Sequence, residues 1–176
     1  HRMRGRLVHL GWLSRSGHQY RLGLRLFELG TLAVQQDRLH AAALPYLREL
    51  RRLTGHTVHL AILDGDQVIY LEKMDGSFGV DIDTRTGGRR SAATTSVGKV
   101  LVANAVGAAS GLGAPPDGRL PDAESARSRR EHAAIRLHGI AFDREETMPR
   151  MGCVGAPVGF KRDVVAAISI SGPVER

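Results

Sequence analysis

The first 23 residues combine one helical pattern with two short strand patterns. Met3, Leu7 and Leu10 recur at the spacing of one helix face, and Gly11 ends that helix. A turn at 14–19 and a short strand at 20–23 follow. This order is typical of the C-terminal half of a winged helix-turn-helix, although an arbitrary amphipathic helix and hairpin explain it equally well. Because no capping residue precedes the helix, the chain looks cut in mid-helix.

Two longer helical patterns follow at 22–36 and 38–54. In the first, leucines recur every three or four residues, so we expect a linker helix with one apolar face. In the second, Pro45 is expected to restart or kink the helix. Gly55 ends it. Its apolar stripe consists of Leu39, Ala43, Leu47, Leu50 and Leu53.

The rest of the chain alternates between strand and helix patterns. Strands are predicted at 57–64, 67–75, 80–84, 140–143, 151–160 and 164–171. Helices are predicted at 94–104 and 122–138, a turn at 87–90 and a loop at 105–121. Six strands in one mostly antiparallel sheet, with helices before, between and across them, predict an α+β fold.

The last two strands each have one bulky face and one small, weakly polar face, because side chains alternate along a strand. The small faces carry Met151, Cys153, Gly155 and Pro157 on one strand, and Val165, Ala167, Ser169 and Ser171 on the other. Small residues leave room that either a closely packed helix or a ligand fills. The helix start at Thr95 and Ser96 offers N–H groups that favour an anion.

Charge is distributed unevenly along the chain. The net charge is +7, and 25 basic residues include only three lysines. Residues 1–25 carry six arginines and no acid, which favours an anionic partner such as nucleic acid. Residues 57–83 carry six acids and one lysine. The two segments are therefore expected to form different surfaces.

Composition excludes several protein classes. With 42% hydrophobic residues the chain can fill a core, which excludes full-length disorder. No run of 18 apolar residues and no apolar segment after the first arginines are found, so neither a membrane span nor a signal peptide is expected. A single cysteine excludes a disulfide framework. A cytoplasmic location is the default expectation.

Three patterns resemble catalytic or metal sites without meeting their requirements. Cys153 has no histidine within ten residues to act as its base. His56 and His59 have the spacing of a helical metal pair, but they lie where a helix gives way to a strand. Gly98-Lys99 lacks the other residues of a phosphate loop. We therefore expect no enzyme activity, cofactor or metal.

Several blocks of sequence resemble the IclR-type bacterial transcriptional regulators. HRMRGRLVHLGWL and SGHQYRLG resemble the end of the family's recognition helix and its wing. LPYLRELRRLTGHTVHLAILDGDQVIYLEKMD resembles its long helix and first hairpin, and GGRRSAATTSVGKVLVA the segment that opens its effector pocket. GIAFDREE and MGCVGAPVGFKRDVVAAISISGP resemble its closing strands, and the Cys four residues before Pro157 followed by AAISISGP is the most specific match. The resemblance fails at 105–121.

The resemblance implies a DNA-binding regulator with a GAF-like effector domain, whose DNA-binding domain is mostly missing here. It implies domains at 1–23 (remnant of the winged helix-turn-helix), 24–37 (linker helix) and 38–176 (effector domain). The expected partners are an operator DNA duplex, a small organic or aromatic acid, and a second or further copies in a dimer or tetramer. DNA contacts are expected at Arg2, Arg6, Arg15, His18 and Arg21. The effector pocket is expected at Ile82, Thr95, Ser96, Val97, Asp143, Cys153, Ser169 and Ser171.

Two further expectations concern the ligand and the alternatives. No Arg or Lys is predicted to point into the small-residue face, so neutral donors would hold a carboxylate. Asp143 would disfavour a second negative group, which predicts a monoacid or a hydroxyl-bearing ligand. The alternatives are a free-standing GAF-like sensor that does not bind DNA and a thiol-dependent enzyme that uses Cys153.

Overall fold

A computed structural model describes residues 2–105, 126–160 and 163–174. Contacts within the chain divide it into two compact units, His1–Ala42 and Ala43–Arg176. The predicted loop at 105–121, the start of the predicted 122–138 helix and the turn residues 161–162 lie wholly or mostly outside the described residues. Among the helices that are described, none has the length and apolar composition needed to cross a membrane.

The first unit contains a helix, a hairpin and a second helix. The elements are α1 (Arg2–His9), β1 (Leu13–Ser16), β2 (Gln19–Leu22) and α2 (Leu24–Gln36). The predicted 22–36 helix begins two residues late because Leu22 pairs with Leu13 in the hairpin. Gly23 follows at once, and an added Cβ there would lie 2.0 Å from the Gly11 carbonyl oxygen. Only glycine fits where the two backbone segments approach so closely.

The helix α3 (Arg38–Thr54) keeps its predicted bounds. Asp37 caps its start, since Oδ1 accepts from the Leu39 N–H at 2.9 Å. Pro45 lies inside a continuous helix, so the expected restart is wrong. The proline removes one backbone donor while the turns on both sides continue. The predicted apolar stripe also ends early, because Leu53 is 66% exposed while Leu47 is fully buried.

The second unit is built on one six-stranded sheet. Its further elements are β3 (Thr57–Asp64), β4 (Gln67–Met74), β5 (Arg89–Ser91), α4 (Ser96–Ala105), α5 (Ala126–His138), β6 (Ala141–Arg144), β7 (Met151–Phe160) and β8 (Asp163–Pro173). The strand order is β5-β4-β3-β8-β7-β6, and every neighbouring pair is antiparallel. This confirms the predicted α+β class.

One predicted strand is wrong. Residues 80–84 form no strand, and side chains rather than a backbone ladder hold them. Lys73 Nζ donates to the Ile82 carbonyl at 2.8 Å, and His59 Nε2 lies 2.8 Å from Thr84 Oγ1. The edge strand is instead β5, whose first residues were expected in the 87–90 turn. The apolar alternation in 80–84 reflects only one well-buried side chain, that of Ile82.

The core lies between α4 and one face of the sheet. Seven of the ten residues of α4 are buried, which fits a helix that crosses a sheet rather than lying on a surface. The buried cluster includes Leu63, Val68, Val100, Leu101, Ile135 and Ala167. The pairing of β7 with β8 shifts register at a bulge near Gly159. As a result Val164 packs on the core, while Val165, which was predicted on that face, is 53% exposed.

Candidate functional site

A cavity lies beside the start of α4, above β3, β7 and β8. The cavity has a volume of about 50 Å³, which is room for a few water molecules. The structure brings to its walls all eight residues that were predicted together: Ile82, Thr95, Ser96, Val97, Asp143, Cys153, Ser169 and Ser171. Their register explains this, since Cys153 pairs with Ser171 and Gly155 with Ser169.

The small-residue face packs against a helix at one place and lines the cavity at the next. An added Cβ at Gly155 would lie 2.7 Å from the Ser96 carbonyl carbon and 3.0 Å from the Val97 nitrogen. The backbone of α4 therefore packs directly on β7 at Gly155. Two residues further along each strand, at Cys153 and Ser171, the same face of the sheet lines the cavity. The tight helix contact thus positions the first turn of α4 at the cavity wall.

Two serine hydroxyl groups in this cavity lack a partner among the described residues. Ser96 and Ser169 are 2% and 4% exposed, and neither hydroxyl donates a hydrogen bond to a described residue. In the described part of the chain, no enclosed side-chain polar atom lacks a partner. These oxygens therefore retain accessible surface in the cavity. Because buried polar groups are normally hydrogen-bonded, a ligand or water is their expected partner.

Cys153 is held as a neutral thiol. Burial is the main cause that raises the pKa of the Cys153 thiol to about 11, and the charge of Asp143 adds to it. A hydrogen bond with Ser171 acts in the opposite direction. A thiolate is the reactive form of cysteine. The structure therefore provides an unreactive, weakly polar wall at this position.

Asp143 is already engaged by the loop that follows β6. Its Oδ1 accepts from the backbone N–H groups of Glu146 at 2.8 Å and Thr147 at 3.3 Å. The Thr147 hydroxyl donates to its Oδ2. Lys99 holds the same loop from α4, with Nζ 2.5 Å from Glu146 Oε1 and 3.1 Å from the Phe142 carbonyl. Thr147 and Met148 of this loop line the cavity.

The cavity also has residues outside the eight that were predicted for it. His59, Tyr70, Asp83, Thr84, Arg90, Thr147, Met148 and Met151 complete its walls. Arg90 shows that the expectation of no basic residue at this site is wrong. It enters because β5 is a strand, and the strand's alternation turns Arg90 toward the same face as its partner Val68. The predicted turn at 87–90 gave Arg90 no strand face, so its place at the cavity could not be predicted.

His59 is uncharged at neutral pH. Burial is the largest cause that lowers the pKa of His59 to about 4, and the nearby Lys73 charge lowers it further. Its ring centroid lies 4.9 Å from that of Tyr70. His56, three residues earlier, instead packs edge-on against Phe78. The two histidines thus have different surroundings, and the described residues contain no cluster of three metal-ligating side chains.

The basic residues predicted for DNA contact lie on exposed parts of the first unit. Arg2 and Arg6 lie on α1, Arg15 and Arg21 on the two hairpin strands, and His18 in the turn between them. Arg4, which was not predicted, joins them. The guanidinium carbons of Arg4 and Arg15 lie 5.6 and 5.8 Å from the Tyr20 ring centre. The aromatic ring thereby holds two arginines near each other.

This sheet, with a helix crossing one face and a polar cavity at the helix start, defines an effector-domain fold of the GAF-like α+β class. Residues 31–110 and 123–176 match the family model described as bacterial transcriptional regulator IclR C-terminal. The chain belongs to the IclR family of bacterial transcriptional regulators, which confirms the resemblance.

Curated relatives are named as transcriptional regulators. The HTH-type transcriptional regulator XynR of Escherichia coli is 35% identical over 161 residues, 87% of this chain and 63% of XynR. The HTH-type transcriptional regulator KdgR of Dickeya chrysanthemi is 31% identical over 192 residues, 95% of this chain and 57% of KdgR. The chain thus spans about three fifths of the length of these relatives.

Solved structures share the fold. The IclR protein of Thermotoga maritima matches with a TM-score of 0.72 at 26% identity, over 99% of this chain and 73% of that one. An IclR homolog from Microbacterium hydrocarbonoxydans, complexed with 4-hydroxybenzoate, matches with a TM-score of 0.79 at 25% identity, over 100% of this chain and 75% of that one.

Proposed function

We propose that this chain is the sensing part of a DNA-binding transcriptional regulator, and that a small acid binds in the cavity beside α4. The observation that carries the proposal is the pair of buried Ser96 and Ser169 hydroxyls, which have no partner among the described residues and line one cavity. Hydroxyls in such a position are specificity groups for a polar ligand. Ile82, Val97 and Met151 supply apolar wall around them.

The carboxylate of this ligand binds at the start of α4. Thr95 Oγ1 accepts from the Gly98 N–H at 3.2 Å, and the Thr95 carbonyl accepts from the Lys99 N–H at 2.9 Å. The N–H groups of Ser96 and Val97 have no partner among the described residues. Unpaired N–H groups and the helix dipole both favour an anion at this point. The ligand in the 4-hydroxybenzoate complex of the Microbacterium homolog is also an acid, which supports this class.

We assign the three regions of the chain as residues 1–23, 24–37 and 38–176, with DNA contact in the first. Arg2, Arg6, Arg15, His18 and Arg21 contact phosphates in this proposal, and Arg4 joins them. Phosphate contacts by arginine give an affinity that falls steeply with salt. Leucines and Phe27 on α2 are exposed within their unit, which supports self-association as a dimer or tetramer. The protein acts in the cytoplasm, where its DNA lies.

A free-standing sensor and a thiol enzyme are the alternatives. The exposed, acid-free basic segment at 1–25 favours DNA binding over the first alternative. The raised pKa of Cys153 argues against the second, because a nucleophilic thiol needs a lowered pKa. We therefore propose no catalytic role, cofactor or metal.

A calorimetric titration of the chain with small organic and aromatic acids, including 4-hydroxybenzoate, tests effector binding. We expect at least one acid to bind, and Ser169→Ala to weaken it by about 0.5–1.5 kcal/mol through one lost hydrogen bond. The matched control is Ser16→Ala, in the exposed hairpin of the first unit. Equal affinity in the two variants would contradict the cavity as the site.

DNA contact needs its own test, with the full-length regulator and its upstream region as the probe. Arg2→Ala and Arg15→Ala should lower affinity and reduce its dependence on salt concentration. Arg52→Ala, an exposed arginine paired with Glu49 on α3, is the control. If both hairpin and helix variants retain the affinity and the salt slope of the unaltered protein, the proposed DNA contact is wrong.

A further inference from the structure

Two cavity residues outside the predicted set, Tyr70 and Arg90, lie on the same face of the sheet. Arg90 pairs with Val68, which is two residues before Tyr70 on β4. Alternate residues of a strand share a face, so both side chains turn toward the cavity, and both line it. Arg90 is also close enough to Tyr70 for its charge to act on the pKa of that hydroxyl.

The Tyr70 hydroxyl is a buried donor that no group in the described part of the chain accepts from. Tyr70 is 5% exposed, and its hydroxyl donates to no described residue. Since no enclosed and unpaired side-chain polar atom occurs among the described residues, this hydroxyl must reach the open space of the cavity. A tyrosine hydroxyl that is buried usually has a partner. Here the available space for that partner is the cavity itself.

Arg90 is the one cationic side chain among the described residues that line the cavity, because His59 is neutral. Its Nη2 donates to the Asp83 carbonyl and lies 2.9 Å from Asp83 Oδ2. Its Nε and Nη1 donate to none of the described residues. The Asp83 side chain is 90% exposed, so this ion pair contributes little and leaves the guanidinium free to bind a second anion.

The acidic residue expected to repel a second negative group is already occupied. Three donors from Glu146 and Thr147 bind both oxygens of Asp143. Both carboxylate oxygens of Asp143 thus already accept hydrogen bonds from the protein. The reason for expecting a monoacid is therefore weaker than the sequence suggested, and Arg90 supplies a positive charge that the sequence pattern did not reveal.

We propose that Tyr70 and Arg90 form a second anion subsite in this cavity, and that the effector is a short dicarboxylic acid. One carboxylate binds at the start of α4 and the other binds Arg90 and the Tyr70 hydroxyl. A planar guanidinium and a neutral hydroxyl donor suit a carboxylate well. The inference rests on the proposed function, since it assigns a ligand class to the same cavity.

The test titrates the chain with straight-chain dicarboxylates of two to six carbons and with the monocarboxylate of each length, at pH 7.5 and constant ionic strength. The variants are Arg90→Met and Tyr70→Phe. The matched control is Arg89→Met, which removes the same charge from the adjacent residue, whose guanidinium pairs with Asp64 at 2.5 Å. We expect at least one dicarboxylate to bind about tenfold more tightly than its monocarboxylate.

Arg90→Met should abolish this preference, Tyr70→Phe should reduce it, and Arg89→Met should leave it intact. Monocarboxylates should bind all three variants alike. Equal affinity of the two acid series, or a preference that survives Arg90→Met, would overturn the subsite while leaving the proposed function in place. If neither series binds, while an uncharged or aromatic ligand binds and responds to Ser169→Ala, the subsite is likewise wrong. If no acid of any kind binds, the proposed function fails as well.

Discussion

The ammonium group of Lys99 joins three parts of the second unit at one buried point. Its Nζ lies 2.5 Å from Glu146 Oε1 on the loop after β6 and 3.0 Å from Glu131 Oε1 on α5. Lys99 itself is 4% exposed on α4. A buried cation between two carboxylates fixes the loop that forms one wall of the cavity.

Replacing Lys99 with Met should destabilise the fold and loosen this wall. The substitution leaves Glu131 and Glu146 without their cation, but both are about 40% exposed and can be hydrated. We therefore expect a loss of roughly 1–3 kcal/mol, below the full cost of breaking a completely buried pair. Urea unfolding measures it. The exposed pair of Arg52 and Glu49 is the control, and Arg52→Met should cost less than about 1 kcal/mol. Equal losses in both variants would contradict the bridging role of Lys99.

Gly155→Ala should separate α4 from the sheet. The added Cβ would lie 2.7 Å from a backbone carbon of Ser96, and backbone atoms cannot rotate away as a side chain can. We expect a loss of about 1–3 kcal/mol, as for other overpacked sites, together with weaker ligand binding. Thermal unfolding and titration measure the two effects.

Gly152→Ala is the matched control on the same strand. Its added Cβ would meet nothing nearer than 3.5 Å, which is ordinary contact. This variant should remain close to the unaltered protein in both measurements. A Gly155→Ala variant as stable as Gly152→Ala would show that the helix does not pack on β7 as described.

Stability should fall as the solution is acidified from pH 6.5 toward pH 4. The pKa of His59 is lowered to about 4 in the folded protein, so in this range the unfolded chain takes up a proton that the folded chain does not. The full effect is roughly 3 kcal/mol, and it is complete below pH 4. Urea unfolding at several pH values measures it in the unaltered chain and in His59→Gln.

The imidazole signals of the folded chain give an independent check. In a proton NMR titration, His59 should stay neutral down to about pH 5. A His59 that titrates near its ordinary value would contradict the burial argument.

Cys153 should react slowly with iodoacetamide. With a pKa of about 11, about a hundredfold less thiolate is present at pH 8 than for an ordinary cysteine thiol. We expect labelling of the folded chain to be slower by at least that factor than labelling in urea, and to accelerate as pH rises toward 11. Mass spectrometry measures both rates. Equally rapid labelling in the folded and unfolded states would exclude the buried neutral thiol.

Local patterns along the chain were sufficient to predict most of the fold. The helix at Arg38–Thr54 and the strand at Thr57–Asp64 have the predicted bounds, because glycine at 55 and the hairpin turn at 65–66 mark their ends in the sequence itself. The small-residue alternation placed Cys153, Ser169 and Ser171 on one face for the same reason. Hydrophobic periodicity and the glycine or turn residues that end an element depend only on residues close together in the sequence.

The remaining errors come from contacts between residues distant in sequence. The segment at 80–84 carries a strand pattern, but Lys73 and His59 hold it by its carbonyl and hydroxyl groups. Arg90 lines the cavity because β5 pairs with β4 at Val68, and the residues next to Arg90 in the sequence do not reveal this pairing. The roles of Ser96, Asp143 and the other site residues remain predictions until ligand binding is measured.

The contact between Gly155 and the backbone of α4 divides the cavity into two kinds of wall. At Gly155 the backbone of β7 packs directly on the backbone of α4, so a larger residue there would displace the helix, and glycine must be kept at this position. The segments at 80–84 and 145–148 are instead held by hydrogen bonds from the side chains of Lys73, Arg90 and Lys99, and neither segment is a strand of the sheet. New ligand preferences can therefore evolve on these two segments while the inherited scaffold stays constant.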